Sequence, residues 1–182
     1  MIIVDDASDD GSANLLRGLE APNASLEVVR NGEREERLPA GILEVVMEAA
    51  RPALRAVFDR VLLDAPCTGT GVIRRHPEIR WRRSPEDFQA AARAQGTALR
   101  AAVDLVSSTG RLVYSVCSLE PEEGPERIED LLRERGDLAI VDARSILPPA
   151  LHRLVDGRGF LQTLPHRDDT DGFFAAVLSR SG

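Results

Sequence analysis

The run FDRVLLDAP, residues 58–66, constrains the fold more than any other stretch. Val61, Leu62 and Leu63 are apolar in succession, where a strand with one wet face would alternate. Such a run suits a strand covered on both faces, as in a parallel sheet. STGRLVYSVCS, residues 108–118, reads as a turn followed by a second strand. Between them, SPEDFQAAARAQGTALRAAVDLV predicts one long helix over 84–106. Ser84 starts it in a capping pattern, with Pro85 at the first helical position and Asp87 three residues on. Strand, helix and strand in that order make one βαβ unit. Further strands are expected at 2–5, 25–32, 138–144, 160–167 and 172–180, the last two joined by the polar turn DDTD. Further helices are expected at 11–20, 41–57 and 120–135, the first opened by Asp10 or Ser12, the second broken near Pro52. The alternation indicates an α/β fold with a mostly parallel sheet.

In such a sheet, ligands bind beyond the carboxyl ends of the strands. The two cysteines of the chain, Cys67 and Cys117, both fall at such ends. One long helix separates them, so the two strands can be neighbours and the two thiols can face one crevice. A free cysteine is often just a small buried hydrophobe. Two of them at equivalent strand ends, with none elsewhere, favour a functional role. They make no disulfide framework, and in a reducing compartment they are free thiols.

Composition sets the outer bounds. The 182 residues suffice for one domain with a core, and no apolar run approaches a membrane span. No signal peptide is recognisable, so a cytoplasmic location is expected, without a membrane or an obligate protein partner. The formal net charge of −7 argues against a protein that coats nucleic acid generally. It leaves room for a local basic patch, and one exists. Arg74, Arg75, Arg80, Arg82 and Arg83 cluster around His76 and Trp81. Arginines with an aromatic suit phosphate contact and base stacking. A solvated loop is the plainer reading for any single arginine, and His76 fits a structural or RNA-positioning role better than that of a catalytic base.

DAPCTGTG and YSVCSLEPEE resemble the two signature motifs of the RNA 5-methylcytosine methyltransferases of the Nop2/Sun, RsmB-type family. The intervening RRHPEIRW and the closing DGFFAAVLSR resemble the same family, so the likeness runs from about Phe58 to Arg180. It implies a class I methyltransferase fold using S-adenosyl-L-methionine and acting on RNA, with ribosomal RNA expected. The chemistry accounts for the residue types. C5 of cytosine is a poor nucleophile, and a thiolate added at C6 makes it enamine-like. By resemblance Cys117 attacks, Cys67 assists release of the product, and Asp64 is the acid at cytosine N3. A carboxyl group at a dry strand end could have the raised pKa this needs, and a simple turn role for Asp64 is the alternative. Pro66 would stiffen the loop, while Gly69 and Gly71 would let backbone approach the base or cofactor. Asp64 and Pro66 also count as cofactor-binding candidates.

The family's cofactor motif, of the form DxCAAPGGKT, has no counterpart here. The expected sheet therefore lacks the first strand and Gly-rich loop of the fold, and the chain starts where the second strand would. Asp5 or Asp6, after that strand, would then grip the cofactor ribose. Residues 58–182 form the expected catalytic region, and 1–57 an N-terminal α/β segment of uncertain origin. Residues 2–33, with IIVDDASDDGSANLLRGL, instead resemble the start of a family 2 glycosyltransferase, where Asp5 or Asp6 would hold a nucleotide. The expectation is thus a truncated or fused methyltransferase, with a glycosyltransferase fragment or an inactive RNA-binding remnant as alternatives. A sheet without its first strand would leave an open, association-prone edge unless residues 1–57 cover it.

Overall fold

A computed structural model describes residues 58–181 in full and, before them, the backbone of two strands, β1 (Ile2–Asp5) and β2 (Glu27–Arg30). The helices expected at 11–20 and 41–57, and Asp6, lie outside the described residues. The further strands are β3 (Phe58–Asp64), β4 (Val106–Val116), β5 (Leu138–Val141), β6 (Leu161–Thr163) and β7 (Phe173–Arg180). The helices are α1 (Ile79–Arg82), α2 (Pro85–Asp104), α3 (Pro125–Glu134) and α4 (Pro165–Asp168).

All seven strands form one sheet in the order β2-β1-β3-β4-β7-β5, with β6 paired to β7. The β2-β1-β3-β4 half is parallel throughout. In the other half only β7 is reversed, so six of the seven described strands run in one direction, as a mostly parallel sheet requires. β7 runs antiparallel to β4, β5 and β6. The link from β6 to β7 is too short for the crossover that parallel neighbours need. Part of that link, PHRD, forms α4 where a strand was expected to continue.

β1 lies directly against β3, with Ile2, Ile3 and Val4 paired to Val61, Leu62 and Leu63. Among the described residues no strand stands between them. The edge of β3 that the sequence suggested would be open is therefore paired.

β3, α2 and β4 build the expected βαβ unit. Asp87 Oδ2 accepts the Ser84 N–H at 2.8 Å, which closes the predicted capping box. Ala98, Leu99, Ala102 and Val103 recur at helical spacing and are buried against Val61, Leu63, Leu112, Tyr114 and Val116. Leu99 is wholly enclosed, and truncating such a leucine to alanine costs about 2–5 kcal/mol. α3 adds Ile128 and Leu131, and Phe160 and Phe174 close the core edge to face, 5.2 Å between ring centroids. Two boundaries differ from expectation. The STG segment is not a turn but part of β4, which begins at Val106. The helix expected from Glu120 begins only at Pro125, after a turn over 120–124.

Candidate active site

The parallel pairing of β3 with β4 sets Asp64 opposite Ser115. Ladder pairing stops soon after, because Pro66 has no N–H to donate. The ladder ends with Ala65 N–H donating to Ser115 O at 2.9 Å. Both chains then turn over the strand ends, and the two sulfurs meet at 3.3 Å. Neither cysteine is in a disulfide, and both are half-buried. The expectation that the two strands are neighbours and bring the thiols together is thus borne out by geometry.

Glycines make the crossing possible. Gly69 holds a left-handed φ of 76°, which a side chain would strain. Gly71 donates its N–H to Cys117 O at 3.0 Å and accepts from Gly172 N at 2.8 Å. A Cβ on Gly71 would stand 2.0 Å from Gly172 O, so no other residue fits there without displacing backbone. Three loops, 65–72, 117–124 and 169–172, are pinned together at this point.

Asp64 is half-buried and accepts the Ser115 hydroxyl on Oδ1 at 2.7 Å. Pro66 offers its carbonyl to Gln95 Nε2 at 2.9 Å. The Cys67 thiol is held well above the ordinary cysteine range, first by its hydrogen bond with Cys117, then by burial and by the negative charge of Cys117 and Glu123. At neutral pH the Cys67 thiol is therefore protonated. Its S–H is placed to donate to Cys117 Sγ.

Sequence reasoning missed four groups beneath the thiols. Glu123, Gln95, Ser118 and Thr68 are buried polar residues, and all four are connected. Glu123 accepts from Thr68 N at 2.8 Å, Thr68 Oγ1 at 2.5 Å, Ser118 Oγ at 2.5 Å and Gln95 Nε2 at 3.1 Å. Glu123 falls in the stretch 120–135, where the sequence predicts helix. Pro121 and the Gly124-Pro125 pair were the available signal that this acid belongs to a turn.

The basic segment divides. Arg75 Nε lies 2.6 Å and Arg74 Nε 3.4 Å from the Asp171 carboxylate, and Arg74 also reaches Asp169 at 3.4 Å. His76 Nδ1 faces Glu78 at 3.5 Å. Arg83 turns inward and donates to Thr68 O at 2.8 Å. Arg80 and Arg82 are exposed on α1 beside Trp81, which is 83% exposed. Asp5 closes β1, one step past the Val4–Leu63 pair, as Asp64 closes β3. A groove of 510 Å³ between α2 and the 120–127 segment includes neither cysteine in its lining. Among the described residues no cluster of metal-ligating side chains occurs, and no helix is long and apolar enough to cross a membrane.

Comparison with known proteins places this geometry. The family profile of the 16S rRNA methyltransferase RsmB/F matches residues 24–179. A methyltransferase of Mycobacterium tuberculosis strain H37Rv is 41% identical over 143 residues, 79% of this chain and 30% of that protein. The ribosomal RNA small subunit methyltransferase B of Pectobacterium atrosepticum is 39% identical over 125 residues, 69% of this chain and 27% of that protein. The chain thus spans under a third of the length of these curated relatives. The solved structure of NSun6 from Pyrococcus horikoshii with SFG is 24% identical, with a TM-score of 0.67 over 99% of this chain and 47% of that one. It shows the same class I methyltransferase fold. With most of its length matched by the profile, the chain belongs to the RsmB/F methyltransferase family.

Proposed function

We propose that this chain carries the reacting centre of an S-adenosylmethionine-dependent RNA cytosine-5 methyltransferase, acting on ribosomal RNA through a two-cysteine covalent mechanism. One observation carries the reading: two thiols 3.3 Å apart, on the ends of neighbouring parallel strands, beside the carboxylate that ends one of them. Residues 58–182 are the catalytic region on this reading.

Cys117, as the thiolate, attacks cytosine C6. Asp64 donates a proton or hydrogen bond to N3 as charge develops there, with Ser115 holding its other oxygen in place. C5 then accepts the methyl group. Loss of the C5 proton to solvent, return of the N3 proton to Asp64 and cleavage of the C6–Sγ bond then release the product. Cys117 departs as a thiolate, which the neighbouring Cys67 S–H can stabilise by hydrogen bonding.

Bound S-adenosylmethionine supplies the methyl group on an electrophilic sulfonium. The strand ends suit such a donor, because β1 and β3 end side by side with Asp5 and Asp64. Carboxylates there accept ribose hydroxyls, and Pro66 limits movement of the adjoining loop. Asp6 belongs to the same proposed set. The Pyrococcus neighbour was solved with SFG, an analogue of this donor.

RNA contact falls to Arg80 and Trp81, exposed on α1, with Arg74, Arg75 and His76 at its approach. The test is methyl transfer from labelled donor to rRNA. Cys117→Ala is expected to abolish it, while S-adenosylmethionine still raises the melting temperature of the variant. Undiminished transfer by Cys117→Ala would remove the mechanism.

A further inference from the structure

We infer that Glu123 is a positioning residue whose carboxylate fixes the gap between the two thiols. Its consequence for methyl transfer rests on the function proposed above, while its effect on the thiol pair does not.

Each neutral donor to this carboxylate is tied to a cysteine. Thr68 follows Cys67 and gives both its N–H and its hydroxyl. Ser118 follows Cys117 and gives its hydroxyl. Gln95, from α2, gives its amide to Glu123 and also to the carbonyl of Pro66, which precedes Cys67. Oε1 accepts from Thr68 N and Gln95, and Oε2 from the two hydroxyls. Glu123 itself cannot drift, since Tyr114, on β4, donates its hydroxyl to the Glu123 carbonyl at 2.6 Å. One wholly buried carboxylate therefore grips both cysteine loops by the residues next to the sulfurs. Ordinary solubility cannot account for an acid with no exposure. Backbone bonds from Ala65 to Ser115 and from Gly71 to Cys117 join the loops to either side of the thiols, and the carboxylate holds the stretch between.

Substitutions separate charge from geometry. In Glu123→Gln, the hydroxyls of Thr68 and Ser118 can rotate to accept from the new amide, so the grip survives without the charge. In Glu123→Ala the residues next to both sulfurs lose their shared side-chain acceptor. Phenylarsine oxide reads the result directly. Its trivalent arsenic forms two As–S bonds with a close dithiol and releases one water, with no change of oxidation state. Bridging of Cys67 and Cys117 in the full chain is measured by competition with a monothiol. Glu123→Ala is expected to weaken bridging about tenfold, the scale of losing charge-assisted hydrogen bonds. Glu123→Gln should stay within about threefold of wild type. On the reading above, Glu123→Ala also lowers kcat with KM for RNA unchanged. Bridging by a folded Glu123→Ala that equals wild type would overturn the inference. If Glu123→Ala does not fold, the Thr68→Val, Ser118→Ala double variant stands in for it under the same criterion. A wild-type chain that bridges arsenic but transfers no methyl group would count against the function alone, and leave the role of Glu123 to the bridging result.

Discussion

The thiol loops and the arginine segment share one end of the sheet but are built by opposite rules. Around Cys67 and Cys117 the contacts are short, buried and mostly neutral. Gly71 touches the backbone of another loop, and Glu123 is wholly enclosed. Around Arg80 and Trp81 the side chains stand in solvent. A reacting centre needs atoms held to a fraction of an ångström, and dense packing supplies that. A surface that meets a charged polymer needs reach and adaptability, and exposed guanidinium and indole groups supply those. Arg74 and Arg75 stand between the two rules, since Asp171 already holds them.

Substitutions can break this contrast or sharpen it. The largest effect is expected from Gly71→Ala. Its Cβ would overlap Gly172 O, so unfolding free energy in urea should fall by about 3 kcal/mol or more. A neutral result would mean that the loops are looser than their contacts imply. Next, Trp81→Ala should weaken RNA binding by about 1–3 kcal/mol, the scale of one stacked base. Its melting temperature should hardly move, because so exposed a ring contributes little to folding. A clear loss of stability would place Trp81 with the rigid region instead.

Arg80→Ala should weaken RNA binding less, by about threefold at low salt, with the difference fading as salt rises. Titration by filter binding at several salt concentrations measures this. Within the thiol pair, Cys117→Ala removes the main influence that keeps Cys67 protonated. The Cys67 pKa then falls, and its alkylation by iodoacetamide at pH 8 should accelerate. Slower alkylation would contradict the assignment of the shared proton.

Much of the rigid region was legible beforehand because it follows from strand grammar. An apolar run ending in Asp64, a capped helix at Ser84 and a second run ending at Val116 put both cysteines at neighbouring strand ends. The 3.3 Å contact is what that grammar implies. The central place of β7 was not legible. Periodicity identifies Phe173–Arg180 as a strand, but not that it inserts between β4 and β5 and runs against both. Glu123 was missed for a different reason. Glu120, Glu122 and Glu123 look alike in sequence, and only burial separates the one that binds both loops from its neighbours. Thr68 and Ser118 lie inside the two cysteine motifs, but nothing in the pattern shows that both turn inward to one acid. In the basic segment the pattern marked the right stretch but could not divide it. Asp171, nearly a hundred positions away, decides which arginines are engaged.

The central claim is that Cys117 attacks the base and Cys67 helps free it. The direct measurement is a denaturing gel of the chain incubated with rRNA and S-adenosylmethionine. Cys67→Ala should accumulate a band shifted by covalently attached RNA, and Cys117→Ala should give none, alone or combined with Cys67→Ala. A covalent band that survives Cys117→Ala would contradict the account.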